Sequence, residues 1–89
     1  MRFPEGWLEV DGALERVFVF RDFAEGIEFV DKVGALAEEA DHHPDIAIRR
    51  NRVTLRWWTH AHSAITDRDL ELAARTNELV AGDMPRGQA

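Results

Sequence analysis

The sequence predicts an α+β fold in which helices pack on one face of a four-stranded antiparallel sheet. Three observations predict it: short segments alternate apolar and polar residues, two longer segments repeat apolar residues at helical spacing, and the order is β-β-α-β-β-α. Strands joined by hairpins favour an antiparallel sheet. The length of 89 residues suits a single domain, which we expect over residues 1–83, followed by a frayed tail over 84–89.

The first predicted hairpin joins a strand at Trp7–Val10 to a strand at Leu14–Phe20. Asp11-Gly12 between them is a favoured hairpin turn. The run Val17–Phe20 is apolar on both faces of its strand, so we expect burial on both sides, and subunit contact is one explanation.

A capping pattern begins the first helix, because Asp22 is followed by Glu25 at the spacing of a capping box. Pro44 prevents the helix from continuing and favours extended backbone at His43. The stripe expected to face the core comprises Phe23, Ile27, Val30, Val33 or Leu36, Ala37 and Ala40.

The second hairpin joins Asp45–Arg49 to Arg52–Thr59 through the turn residue Asn51. Ile46 and Ile48 lie on one side of the first strand, as expected of a half-buried strand. Val53, Leu55 and Trp57 lie on the core side of the second, and strict alternation puts Trp58 and His60 on its polar face with Arg56.

A second capping pattern, Thr66-x-x-Asp69, begins the last helix. Gly82 is expected at the C′ position that follows the helix. The apolar stripe runs through Leu70, Ala73, Ala74, Asn77 and Val80.

Composition excludes several classes of protein. A net charge of −6 argues against a nucleic-acid surface, and no apolar run approaches the roughly 20 residues of a membrane helix. The absence of cysteine excludes disulfides and thiolate metal sites, and the N-terminus lacks a secretory apolar segment, so we expect a cytoplasmic protein. Arg49, Arg50, Arg52 and Arg56 crowd one hairpin, which is either solvated or a cationic rim for a small anionic or carbonyl-bearing ligand.

All four histidines fall between residues 42 and 62, as His42, His43, His60 and His62. Imidazole exchanges protons near neutral pH, so this cluster is where we expect the chemistry. The single serine, Ser63, is not in a nucleophile elbow, and no phosphate-binding glycine loop is present.

Two types of histidine site remain. If residues 60–62 were a strand, His60 and His62 would point the same way, and with Asp41 or Asp45 nearby they could hold a metal ion. Adjacent histidines such as His42 and His43 rarely bind one ion together. Acid–base catalysis, with addition or elimination of water on a planar ring, is the interpretation we favour.

One multi-part pattern resembles the signature of the pterin-4a-carbinolamine dehydratases. It comprises Glu38-x-x-x-His42-His43-Pro44, then Thr59-His60, then Asp69. Further segments that resemble family positions are Gly6-Trp7, Phe18-Val19-Phe20-x-Asp22-Phe23, Val33-Gly34-x-Leu36-Ala37-Glu38 and Asn51-x-Val53.

The resemblance implies a hydro-lyase that converts 4a-hydroxytetrahydropterin to quinonoid dihydropterin and water in tetrahydrobiopterin-type cofactor recycling. It implies catalysis by His42 and His60, substrate contact by His43, and no metal or cofactor. We also expect Pro44 and Trp58 to contact the substrate. It further implies the family fold and a homodimer or homotetramer, formed through sheet edges and helices.

Several residues have structural interpretations beside the functional ones. Asp69 is explained either as a helix cap or as a group that positions a catalytic histidine, and Glu38 either orients His42 or is solvated. Trp57 is expected to pack in the core, and His62 is expected to be a surface residue without a role. The alternatives for the whole protein are a non-catalytic oligomeric interaction module, of the kind that stabilises transcription-factor dimers, and a metal-binding domain.

The chain also departs from the family pattern. It begins almost at Gly6-Trp7, where the family has an additional N-terminal helix, as expected of a short bacterial-type member. Arg50 replaces an aromatic residue before the turn asparagine, and Ala64 replaces a common glycine.

Overall fold

Four antiparallel strands form one sheet, and two helices complete the fold; the computed structural model describes residues 2–83. The elements are β1 (Leu8–Val10), β2 (Ala13–Val19), α1 (Phe23–Ala40), β3 (Asp45–Arg49), β4 (Arg52–Trp57) and α2 (Asp67–Asp83). The strands lie side by side in the order β1-β2-β4-β3, and every neighbouring pair is antiparallel. The predicted fold class and element order are confirmed. The tail predicted over residues 84–89 lies outside the described residues.

Both helices pack against one face of the sheet. Cross-strand register sets Leu14 opposite Trp57 and Phe18 opposite Val53, so their side chains point to the same face. These four side chains are fully buried and form a core with apolar residues of both helices. Burying apolar area of this kind is the main source of stability in so small a protein.

The opposite face of the sheet is open in the single chain. Val17 and Val19 are each 44% exposed on it, so the burial expected on both sides of this strand is not seen. A second subunit would be needed to cover them, and the homo-oligomer stays a prediction. Ile46 and Ile48 lie on the helix face but at the β3 edge, where they are more exposed than a half-buried strand predicts.

Helix α1 begins as predicted and buries a stripe rotated from the predicted one. The Asp22 side chain accepts a hydrogen bond from the Glu25 amide at 2.9 Å, while Glu25 accepts from Arg21 rather than from Asp22. Phe29, absent from the predicted stripe, packs tightly on two core rings, whereas Phe23 is exposed. The buried residues of α1 are Gly26, Phe29, Val33, Leu36 and Ala37.

Helix α2 differs from its prediction at the C-terminal end. It continues through Gly82 to Asp83, so Gly82 is not the residue that follows the helix. Asn77 lies in the predicted apolar stripe but acts as a polar anchor, accepting from the Trp7 indole at 2.9 Å and from Arg16 at 2.6 Å. Within residues 2–83, neither helix has the length and apolarity to cross a membrane.

Candidate active site

Three of the four histidines line one cleft of about 310 Å³. The cleft opens where the end of α1, the turn after β4 and the start of α2 meet. Its size is at the small end of the range for small-molecule sites. The lining residues are Asp41, His42, His43, Trp58, Thr59, His60, Ala61 and Arg68.

The end of α1 determines where His42 lies. Asp41 adopts the left-handed conformation, with φ 54° and ψ 44°, which aspartate tolerates better than most residues. Its amide donates to the Glu38 carbonyl at 3.3 Å, and the His42 amide donates to the Ala37 carbonyl at 3.1 Å. This pair of bonds is a Schellman motif, so the backbone of His42 is held by the helix end itself.

The His42 side chain is bound to a buried carboxylate. Its Nε2 lies 2.7 Å from Oδ1 of Asp69, and the two side chains are 11% and 0% exposed. Because a carboxylate only accepts hydrogen bonds, Nε2 carries the proton and Nδ1 is the nitrogen left for a ligand. The Trp57 ring stacks with the imidazole, with the two planes nearly parallel and the centroids 5.9 Å apart.

Asp69 connects the first turn of α2 to the catalytic candidates. Its Oδ2 accepts from the Thr66 amide at 2.8 Å, which is one half of a capping box. The same oxygen accepts from the Thr59 hydroxyl at 2.8 Å, and the Thr66 hydroxyl lies 2.7 Å from that of Thr59. Since the one hydroxyl proton of Thr59 is used on Asp69, Thr66 donates to Thr59. Asp69 is therefore both a helix cap and the partner of His42.

His43 has a separate partner. Its Nε2 lies 2.7 Å from Oε2 of Glu38, so Glu38 bonds to His43 and not, as one interpretation held, to His42. Asp41, in the left-handed conformation, turns the chain after the helix. Glu38 therefore reaches His43, five residues further on, and not His42. Both side chains are mostly exposed, at 54% and 80%, so this pair contributes little to stability.

His60 lies in a turn and not in a strand. Because β4 ends at Trp57, the alternation used to orient His60 and His62 does not extend to them. Thr59 forms an isolated bridge with Ala64, and the turn between them includes Ser63 in the left-handed region. The predicted proximity of His60 to Trp58 nevertheless holds, because their ring centroids are 4.0 Å apart.

Two predicted features, Pro44 and the arginine-rich hairpin, lie away from the cleft. Pro44 precedes β3 and does not line the cavity. Arg49, Arg50 and Arg52 are at the far end of the β3–β4 hairpin, and Arg56 is paired with a glutamate of β2. None of these four arginines lines the cleft, so they do not form a cationic rim around it.

The rim contains a different arginine. Arg68, in the first turn of α2, donates to the Ala40 carbonyl at the end of α1 and also lines the cleft. A cation at this position interacts favourably with the C-terminal end of a helix dipole. Arg68 was not predicted from the sequence, and Thr59 and Thr66 were named there without a part in the site; the available signal for Arg68 was its position within the Thr66–Asp69 cap.

The structure of residues 2–83 does not support the metal-site alternative. His62 is exposed and outside the cleft, and it lies in a turn rather than in the strand that the shared orientation with His60 required. Within the described part of the chain, no three His, Asp or Glu side chains are grouped so as to hold a metal ion.

The fold and the cleft define an α+β protein with a candidate small-molecule site, which is built from imidazoles and one buried carboxylate. The sequence profile of the pterin 4 alpha carbinolamine dehydratase family matches residues 1–79. The chain belongs to that family, as the signature around His42, His60 and Asp69 predicted.

Individual relatives agree with this assignment. A protein of Thermomicrobium roseum, provisionally named a pterin-4-alpha-carbinolamine dehydratase, is 50% identical over 76 residues, which cover 85% of this chain and 82% of the relative. A crystal structure of a transcriptional coactivator/pterin dehydratase from Brucella melitensis is similar with a TM-score of 0.81 and 33% identity, covering 85% of this chain and 83% of that one. A pterin dehydratase-like RuBisCO assembly factor of the alpha-carboxysome shares the fold, with a TM-score of 0.68 and 24% identity over 82% of this chain and 84% of its own.

Proposed function

We propose that the protein converts a 4a-hydroxytetrahydropterin to quinonoid dihydropterin and water by histidine acid–base catalysis. The observation that carries the proposal is that His42 and His60 line one cleft while His42 is bonded to a buried carboxylate. Elimination of water needs a proton donor for the leaving hydroxyl and an acceptor for a second proton, and two imidazoles supply both. Family membership supports a pterin as the substrate class, and we propose on that basis a role in recycling tetrahydrobiopterin-type cofactors.

The proposed step is balanced in atoms and charge. An imidazolium gives its proton to the C4a hydroxyl, the C4a–O bond breaks, and water leaves. The N5–H bonding pair becomes the second bond of C4a=N5, and the N5 proton passes to a neutral imidazole. One histidine ends neutral and the other protonated, so exchange with solvent restores the starting state. The reaction as proposed uses no cofactor.

We assign the base to His42 and the acid to His60. The bond to Asp69 holds the proton of His42 on Nε2, so Nδ1 presents a lone pair, and the carboxylate faces the imidazolium that forms. His60 is exposed, so solvent protons reach it between turnovers. His43, held by Glu38 through Nε2, is proposed to hydrogen-bond the pterin with its other nitrogen.

The test is an assay of purified protein on a 4a-hydroxytetrahydropterin generated immediately before mixing. We expect the wild type to accelerate its loss, followed by ultraviolet absorbance, and His42→Ala or His60→Ala to reduce kcat at least about a hundredfold. The matched control is His62→Ala, which removes a histidine of the same turn that does not line the cleft. A wild type with no effect, beside an active control enzyme, overturns the proposal.

A second candidate function is an oligomeric interaction module. The observation that favours it is the open face of the sheet, where Leu8, Val17 and Val19 are exposed, together with the coactivator role named for the Brucella relative. Light scattering on the eluting protein would measure the subunit number, which we expect to be two or four. Val17→Glu, placed on the open face, should lower that number if this face is the interface, while His60→Ala should not.

A further inference from the structure

His60 has little to hold its side chain in place. It follows the end of β4 in an exposed turn, and among the described residues its ring has no hydrogen-bond partner. Its backbone is restrained, because its carbonyl accepts from the Ser63 amide at 3.2 Å. A free imidazole on such a turn would sample several rotamers, whereas proton transfer needs one defined orientation.

One ring contact restrains it. The Trp58 indole lies with its centroid 4.0 Å from that of His60, and the planes are inclined by 37°. Trp58 is itself fixed, because its indole N–H donates to Oδ2 of Asp45 at 3.1 Å. Aromatic contacts and a hydrogen bond to a charged acceptor are both strong enough to select a rotamer.

Asp45 connects this contact to the sheet. It is the first residue of β3 and lies directly opposite Arg56 of β4, whose guanidinium binds Glu15 of β2 at 2.7 Å. Strand pairing therefore holds the backbone of the residue whose carboxylate binds Trp58. Asp45, Trp58 and His60 form a chain of contacts from the sheet to the turn.

We propose that Trp58, anchored by Asp45, is a positioning residue for His60. This inference rests on the proposed function, and it changes the role expected for Trp58, since one side of the indole is used on His60 rather than on substrate. A residue that orients a proton donor affects the chemical step, so its loss lowers kcat and leaves KM nearly unchanged. A residue that only binds substrate does the reverse.

The first measurement does not depend on catalysis. In spectra of protein with labelled histidines, the ring protons of His60 should be displaced upfield by the Trp58 ring current, with His62 in the same turn as the internal reference. Trp58→Ala should abolish the displacement, Asp45→Ala should reduce it, and Trp58→Phe should retain part of it. Undisplaced His60 resonances in the wild type overturn the proposal.

The second measurement is steady-state kinetics on the same variants, with thermal melts to verify folding. We expect Trp58→Ala to lower kcat about tenfold with KM within twofold, and Trp58→Phe to recover most of the loss. Asp45→Asn keeps an acceptor for the indole and should stay near wild type, whereas Asp45→Ala should lower kcat about threefold. A raised KM with unchanged kcat in Trp58→Ala overturns the positioning role in favour of substrate contact. A wild type with displaced His60 resonances but no dehydratase activity overturns the proposed function, and the catalytic part of this role falls with it while the contact stands.

Discussion

The two sides of the cleft hold their histidines by different means. His42 lies mostly covered beside Trp57 and is bonded to Asp69, which also accepts hydrogen bonds from Thr59 and Thr66. His60 is exposed and follows the end of a strand, and within residues 2–83 its ring contacts that of Trp58 alone. The buried side couples a site residue to the stability of the fold, because one buried carboxylate bonds the His42 ring, the Thr59 hydroxyl and the Thr66 amide. The exposed side is coupled mainly to the local turn.

The largest effect should come from removing the carboxylate at the centre of the buried side. Asp69→Ala leaves the Thr66 amide, the Thr59 hydroxyl and the His42 ring without their acceptor. We expect a loss of about 3 kcal/mol in the free energy of unfolding, measured by urea denaturation, and loss of most activity.

Asp69→Asn separates the two roles of that residue. The amide keeps the volume but offers one acceptor oxygen and a donor, so it cannot serve both His42 and the threonines. If it favours the other His42 tautomer, kcat should fall at least a hundredfold while stability falls by only about 1–2 kcal/mol. Equal losses in the alanine and asparagine variants would contradict a separate role in catalysis.

Replacing each of the two histidines tests directly whether the buried and exposed sides of the cleft differ in stability. His42→Ala leaves the Oδ1 atom of buried Asp69 unpaired and should cost about 2 kcal/mol of unfolding free energy. His60→Ala removes an exposed side chain and should stay within about 0.5 kcal/mol of wild type. Both should abolish most activity, so similar stabilities for the two variants would show that the sides do not differ as described.

A smaller effect is expected at the hydroxyl that joins the two sides. Thr59 precedes His60 yet donates to Asp69, so Thr59→Val should cost about 1 kcal/mol and reduce kcat several-fold. Thr59→Ser keeps the hydroxyl and is the matched control. If Thr59→Val and Thr59→Ser have the same melting temperature, the hydrogen bond from Thr59 to Asp69 contributes less stability than its length indicates.

The smallest effects should come from the turn on the exposed side. Ser63 has φ 48°, a conformation that glycine adopts without strain, so Ser63→Gly should raise the unfolding free energy by about 0.5 kcal/mol. Ala64 is not among the residues with positive φ, so Ala64→Gly, which introduces the glycine common in the family, should lower it by about 0.5–1 kcal/mol. Thermal melts check this: the melting temperature of Ser63→Gly should lie above that of the wild type, and that of Ala64→Gly below it.

Local patterns identified most elements because their causes are local. The Asp22 cap, the turn at Asn51 and the alternation of Val53, Leu55 and Trp57 each depend on neighbours within a few residues. The errors came where such a pattern was extended too far. Strict alternation does not apply to His60, which lies three residues past the end of β4.

The buried face of α1 also differs from the predicted one. Periodicity shows that α1 has an apolar side, but several apolar residues flank that side. Phe29 is buried and Phe23 is not, because Phe29 packs against the rings of Phe18 and Phe20. Phe18 lies in β2, and Phe20 follows the end of that strand. Such a choice depends on packing between elements that are distant in the chain.

The sequence by itself determined the α+β order of elements, the family, and the histidines to consider, because caps, turns and periods of 2 and 3.6 residues are properties of short segments. Only the tertiary structure decided how those histidines are partnered. His42 meets Asp69 from 27 residues away, Glu38 reaches His43 and not His42, and Trp58 is tied to Asp45 across the sheet. These pairings follow from where α1 turns at Asp41 and where β4 stops at Trp57, and hydrogen bonds between distant segments form only once packing has brought both ends together.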